Sequence, residues 1–446
     1  MTARSWAQLL TITIAIMVAS YLLPVATKDA QALRTERTVP GQIIVELLPG
    51  VQIDTIDSLF GTQVLEPFLD STNTNTFLLQ APADVGVQTT LDLIKASGLV
   101  SYAEPNYVTG APEADDGTSA SARHRAFPAG DATPTTSNYS KSPYSGSDLH
   151  LALARRISKG ERTTVAVLDT GVQLNHPELQ DRFVGVPRYD FVDDDNDPSE
   201  PPLASTKAQR RQEAVGHGTH VAGIVHLVAP KAKLMPLRVL DREGYGDNFH
   251  VAEAVAFAYM HGADVINLSL GTPSWSRLLK KQVDNAIGHG VVVTAAAGNY
   301  DSAMPQYPAT KRLLIWKASD HDGLLAVTSV DPEGNKSSFA NYGKWVDIAA
   351  PGEEILSTYP VSRHAYWSGT SMATPFVAGE AALIQAKRRQ AFGDSLNPAK
   401  VEGRIRSSAQ CHQQVNATYN HMLGSGRIDI GNGVKNVQGR PCSLLP

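Results

Sequence analysis

VAVLDTG, residues 165–171, is an apolar run rich in β-branched residues that stops on a carboxylate, a threonine and a glycine. A short run with almost no polar interruption predicts a strand buried on both faces, as parallel sheets require, because a half-exposed strand would alternate. Working outward, KLMPLRVL (233–240), DVINLSL (264–270), VVVTAAA (291–297), LLAVTSV (324–330) and WVDIAA (345–350) have the same character. Between them lie helix-like stretches: HGTHVAGIVHLVA (217–229), NFHVAEAVAFAYMHG (248–262) with Gly262 as its stop, and SWSRLLKKQVDNAIGHG (274–290) with Leu279, Val283 and Ile287 on one face. The repeated strand–helix–strand order predicts an α/β domain, a doubly wound and mostly parallel sheet with helices on both faces.

Three groups needed to make a nucleophile of a weak alcohol recur in this frame. Asp169 ends its strand at the carboxyl edge of the sheet, where active sites of such folds gather. GHGTHVAG (216–223) offers two imidazoles, His217 and His220; as a zinc site it lacks HExxH and an acidic ligand at helical spacing. SGTSMATPFVAG (368–379) places Ser371 at the start of a predicted helix over Met372–Lys387, with Pro375 in its first turn. A helix N-terminus there aims backbone N–H groups and a positive dipole end at a developing oxyanion. The esterase elbow GxSxG is not met, since Ala373 stands in its fifth position.

Together the three segments resemble the subtilisin-like serine proteases, the subtilase family, as does the order Asp, His, Ser, which differs from that of chymotrypsin and of α/β-hydrolases. The resemblance covers roughly residues 160–435 and implies an endopeptidase in which His217 is the base and Asn299, in VVVTAAAGN, donates to the oxyanion. It implies that Gly244, Tyr245, Gly246 and Ser269, Leu270, Gly271 flank an extended peptide substrate, bound by strand addition. Ala296, Ala297 and Gly298 would line the pocket for the side chain before the scissile bond. Two rival readings are a catalytically silent peptide-binding relative, opposed by competent residues at all four positions, and a lipase or esterase, opposed by residue order.

Upstream, GQIIVELL (41–48), TQVLEPF (62–68), NTFLLQAP (75–82), TTLDLIKASG (89–98) and VSYAEPNYV (100–108) predict a small α+β, ferredoxin-like module. With the AEPN at 103–106 it resembles the subtilase propeptide, which implies a chaperone and inhibitor whose end lies in the cleft. Residues 109–147, rich in Ala, Gly, Ser, Thr, Pro and Asp, read as a linker where processing falls. The expected order is therefore an export signal over 1–32, a propeptide over 33–108, the linker, and a catalytic domain over 148–446.

The start of the chain carries Arg4, an apolar run from Leu9 to Ala26 and Ala30-Gln31-Ala32, which fits a secretory signal cut after Ala32 or an uncleaved membrane anchor. Export implies a secreted or periplasmic protein. There Cys411 and Cys442, the two cysteines, could pair or remain free thiols. A chain of 446 residues with 42% hydrophobic and 19% charged residues can bury a large core, and a formal charge of −5 excludes nucleic acid as an expected partner. The chemistry needs no cofactor. Compared with the family pattern, the stretch after His220 lacks a loop that often holds calcium, while the long Asp169-to-His217 segment carries Asp190, Asp193, Asp194, Asp195 and Asp197. Those five read as a calcium site or as a solvated acidic loop. An insertion over Thr310–Gly323 interrupts the region near the expected pocket.

Overall fold

The computed structural model describes residues 37–69, 75–114, 127–128, 149–206, 214–310, 322–411, 416–436, 438–439 and 441–442. The export segment expected over 1–32, most of the expected linker and the middle of the expected insertion, 311–321, lie outside the described residues.

The N-terminal module contains β1 (Thr38–Leu47), α1 (Ile53–Phe60), β2 (Gln63–Pro67), β3 (Thr76–Gln80), α2 (Val87–Ala96) and β4 (Val100–Gly110). Its strands lie in the order β2-β3-β1-β4 and pair antiparallel, the ferredoxin-like arrangement. Alternation along β1 sorts the side chains between two cores. Ile43, Val45 and Leu47 pack with Ile56, Leu91 and Ile94 beneath the module's own helices. Ile44, facing the other way with Leu78 and Phe68, joins the core of the larger domain, and the rings of Phe68 and Phe249 meet edge to face at 5.5 Å.

In the larger domain, β5 (Thr164–Asp169), β6 (Tyr189–Asp190), β7 (Lys233–Arg238), β9 (Val265–Leu268), β10 (Val292–Ala296), β11 (Leu324–Val330) and β12 (Ile348–Pro351) form a seven-stranded sheet. Their order is β12-β11-β10-β9-β5-β7-β6, and every neighbouring pair is parallel. Both faces are covered, which is why the strands carry almost no polar residues. Val165 and Val167 of β5 pack under α3 (His217–Val228) and α6 (Thr370–Phe392), while Ala166 and Leu168 pack under α4 (Asn248–Met260) and α5 (Arg277–Gly288). From β5 the chain builds first toward β6 and then, after β7, toward β12, so the topological switch lies between β5 and β9. Crevices at the carboxyl ends of strands beside such a switch are where ligands bind.

Two expectations about elements change. The helix after Ser371 begins at Thr370 and runs to Phe392, where Gly393 caps it in the left-handed region, and Pro375 sits beyond the first turn. The linker expected to open at Thr109 falls inside β4, which runs on to Gly110, and residues 111–114 continue into the crevice of the larger domain. A run of small and polar residues does not announce itself as a strand when its partner is supplied by another domain. Cys411 and Cys442 are joined in a disulfide. Among the described residues no helix is long and apolar enough to cross a membrane.

Candidate active site

Asp169 closes β5 and is fully buried. Its Oδ1 accepts from the Thr170 backbone N–H at 2.8 Å and meets His217 Nδ1 at 2.7 Å. That contact depends on Gly218: a Cβ there would stand 2.0 Å from the Gly171 carbonyl oxygen and 3.0 Å from Asp169 Cβ, so only glycine lets α3 approach the end of β5. The His217 ring packs edge-on against Trp367, at the end of a three-stranded sheet in which β13 (Ile355–Tyr359) pairs with β14 (Arg363–Trp367) and β14 with residues 127–128. His220, one turn further, faces away from this site. Its Nε2 lies 3.0 Å from the carbonyls of Ile355 and Ala365, and burial pulls its pKa down to about 3, which keeps it a neutral packing group.

Ser371 stands in the first turn of α6. Pro375, four residues on, has no N–H for the Ser371 carbonyl, and the Ser269 hydroxyl donates to that carbonyl instead at 2.8 Å. The end of β9 thus steadies the serine backbone. Asn299 is fully buried, and its Oδ1 accepts from both the backbone N–H and the hydroxyl of Thr370, each at 2.9 Å. With the carbonyl side so engaged, the amide Nδ2 is left to donate.

The three segments therefore meet at one place, and a fourth group meets them. Glu113, which follows β4, places its carboxylate among them. Its Oε2 accepts from Ser371 Oγ at 2.7 Å and lies 3.1 Å from His217 Nε2, and its Oε1 accepts from Asn299 Nδ2 at 2.8 Å. Gly369 makes the room, since a Cβ there would lie 1.7 Å from Glu113 Oε1. Burial pulls the His217 pKa down, but the carboxylates of Asp169 and Glu113 outweigh it and the imidazole is pushed up to about 10.

The strand that delivers Glu113 lies between the two runs expected to hold a peptide. Thr109 pairs with Gly246 and Gly110 with Tyr245 of β8 (Tyr245–Asp247), antiparallel. Gly110 also exchanges hydrogen bonds of 3.0 and 2.9 Å with Gly271, and the Ala111 N–H donates to Gly244 at 2.9 Å. The chain then reverses in a turn closed by the Ala114 N–H on the Ala111 carbonyl, and so presents a side-chain carboxylate to the site. Leu270, next to Gly271, is buried, and β10 ends on Ala296, from which Ala297 and Gly298 lead to Asn299.

Within the acidic run, Arg238 Nη1 bonds to both Asp190, at 2.7 Å, and Asp193, so a guanidinium meets two of the five carboxylates. Asp194 accepts from the Tyr189 hydroxyl, Asp195 from the Asp197 N–H and Asp197 from the Ser199 hydroxyl. The partner, Arg238, comes from β7 and cannot be seen in the loop's own sequence.

A sequence-matching family model for the subtilase family covers residues 160–426, more than half of the chain. The chain belongs to the subtilase family. A second model, the fervidolysin N-terminal prodomain, matches residues 25–106 of this subtilase. Thermitase of Thermoactinomyces vulgaris is 41% identical over 269 residues, covering 58% of this chain and 88% of thermitase. Subtilisin BL of Lederbergia lenta is 38% identical over 279 residues, covering 60% and 90% respectively. Fervidolysin from Fervidobacterium pennivorans, a keratinolytic enzyme related to subtilisin, superposes with a TM-score of 0.68 at 22% identity. That fit spans 90% of this chain and 62% of fervidolysin, and shows a shared fold for prodomain and catalytic domain together. This subtilase is a serine endopeptidase with an N-terminal prodomain.

Two residues, Glu113 and Glu200, escaped the motifs, and the AEPN motif did not disclose what its own Glu104 and Asn106 do. Glu113 was hidden in a stretch that read as linker. Glu104 and Asn106, alternate residues of β4, cap catalytic-domain helices: Glu104 accepts from Arg277 N, Leu278 N and the Ser276 hydroxyl at the start of α5, and Asn106 accepts from Phe249 N at the start of α4. Glu200 ties the turn after β5 to α3, accepting from Thr170 Oγ1, Thr219 N and Gly216 N, and burial pushes its carboxyl up to about 8, with the Asp169 charge adding to the shift.

Proposed function

We propose that this subtilase is an exported endopeptidase, secreted or periplasmic, that cuts peptide bonds through Asp169, His217 and Ser371 with Asn299 at the oxyanion, and that it is made as a self-processing zymogen. The observation carrying this reading is the Glu113 carboxylate: one oxygen meets the hydroxyl and the imidazole, and the other meets the Asn299 amide. Those are the three contacts that a tetrahedral acyl intermediate requires of its surroundings. With a peptide carbonyl in place of the carboxylate, Ser371 Oγ attacks carbon while His217 Nε2 takes the proton. Asp169 holds the Nδ1–H and steadies the imidazolium. The oxyanion receives the Asn299 amide and the Ser371 N–H, and the Nε2 proton then passes to the leaving amine. Water repeats the sequence on the acyl-enzyme.

The slot between β8 and Gly271 supports a polypeptide substrate, since it is filled by main-chain pairing along an extended strand. The prodomain is its first occupant and supports the reading of a built-in inhibitor. Ala296, Ala297 and Gly298 would line the pocket before the scissile bond. A fluorophosphonate tests the nucleophile: the matured protein is expected to take up one label, the Ser371→Ala protein none, and casein to be cut in preference to a short-chain ester. Labelling that survives Ser371→Ala would overturn the assignment.

The matured enzyme is also expected to lose activity as pH falls through about 6 to 7. Without the Glu113 carboxylate the base returns toward its ordinary pKa near 6.5 and must be neutral to accept a proton. The acid limb of kcat/KM should fall about tenfold per pH unit below that point. A rate flat down to pH 4.5 would argue against an imidazole base.

A further inference from the structure

Glu66, His250 and Glu253 stand together at the joint between prodomain and catalytic domain. Each offers a ligand atom within 4.8 Å of the others. Glu66 comes from β2, the edge strand of the prodomain sheet, and His250 and Glu253 lie three residues apart on α4. His250 Nε2 is 3.3 Å from Glu66 Oε2. On its other side, Nδ1 meets Asp247 Oδ2 at 2.7 Å. A carboxylate on Nδ1 fixes the ring and turns Nε2 toward the cluster, where a bound ion would take the place of its proton, as for histidines that bind metals.

Glu253 supplies the second observation. It is 1% exposed; Oε1 accepts from the Leu69 N–H at 2.9 Å, Oε2 is buried with no hydrogen-bond partner, and the carboxylate reaches within 4.8 Å of the ligand atoms of Glu66 and His250. An unpaired carboxylate oxygen at a closed interface is costly unless a cation or donor meets it.

We propose that Glu66, Glu253 and His250 Nε2 bind one divalent transition-metal ion, with zinc the best match, as a staple between prodomain and catalytic domain. One imidazole and two carboxylates suit zinc in number and kind, with a fourth position left for water, whereas calcium would want oxygen ligands throughout. Because Glu66 leaves with the prodomain, the ion binds tightly only while the prodomain is docked. By linkage it holds the prodomain in place, and chelation loosens it.

The test uses the whole chain carrying Ser371→Ala, which keeps it uncut, stripped with a chelator and titrated with zinc against a chromophoric competitor. One zinc per chain is expected, together with a raised thermal midpoint. Glu66→Gln and Glu253→Gln are each expected to weaken binding at least about tenfold, and Glu161→Gln, at an exposed pair with Lys231, to leave it unchanged. Glu66 is one-third exposed on an edge strand, so its variant keeps the test alive if Glu253→Gln does not fold. No binding up to millimolar zinc, or binding unchanged in the Glu66→Gln protein, would overturn the proposal.

Discussion

Ser371→Ala is expected to stop peptide cleavage and maturation together, so that full-length precursor accumulates. The hydroxyl that would attack a substrate is the same one that the chain's own segment meets at 2.7 Å, and among the described residues no second hydroxyl stands in hydrogen-bond contact with Glu113 to replace it. The loss is therefore complete. Asn299→Ala separates the oxyanion donor from the nucleophile. It should leave KM nearly unchanged and lower kcat by roughly 10²–10³-fold, equivalent to about 2.7–4 kcal/mol, because the amide acts on charge that develops only in the transition state. The measurements are gel analysis of the expressed chain and steady-state kinetics of the matured enzyme. A Ser371→Ala chain, expressed alone, that still matures at the same site would show that another protease does the cutting.

Glu113→Ala in the precursor is expected to unmask the site, raising the rate of fluorophosphonate labelling by at least about 10²-fold. The carboxylate makes charge-assisted contacts to the hydroxyl, the imidazole and an amide, each worth about 1.5–3 kcal/mol, though not additive. Glu113→Gln keeps the shape without the charge and should fall between. The wild-type precursor carries a pH signature of the same contact. With the segment seated, and against the pull of burial, Asp169 first and then Glu113 hold the His217 pKa at about 10, against about 6.5 for a free imidazole, and the Glu113 share of that rise is lost when the segment leaves. A group whose pKa is raised by a contact favours that contact most below its free pKa, and the benefit drains away as pH rises toward the raised value. Labelling of the precursor should therefore quicken as pH rises toward 10, and Glu113→Ala should lessen that rise. Equal labelling rates for wild type and Glu113→Ala at every pH would mean that the carboxylate does not guard the serine.

The sheet and the meeting of Asp169, His217 and Ser371 could be read from the chain because each rests on local chemistry. A doubly buried strand needs an unbroken apolar run, as in residues 165–168, and close approach at Gly218 and Gly369 needs glycine whatever the distant sequence. What could not be read depends on partners far along the chain. Residues 109–114 look like linker because their pairing comes from Gly244, Tyr245, Gly246 and Gly271. The five aspartates read equally as a calcium site or a solvated loop, and Arg238, which binds two of them from another strand, is invisible from within the loop. The reach of α6 back to Thr370 was missed because Pro375 reads as a first-turn residue, while the Ser269 hydroxyl that makes it tolerable mid-helix lies 102 residues away from Ser371.

The slot between β8 and Gly271 admits one strand at a time, and in the intact chain the strand inside it is tethered. A tether of this kind keeps its end at an effective concentration on the order of millimolar, which free peptide at micromolar levels cannot match. Competition for the slot is then decided by connectivity before it is decided by affinity. Once the connection is cut, the same segment becomes an ordinary dissociable ligand whose occupancy depends on how many copies share the solution. Crowded, newly cut chains would remain silent, and simple dilution away from their source would switch them on.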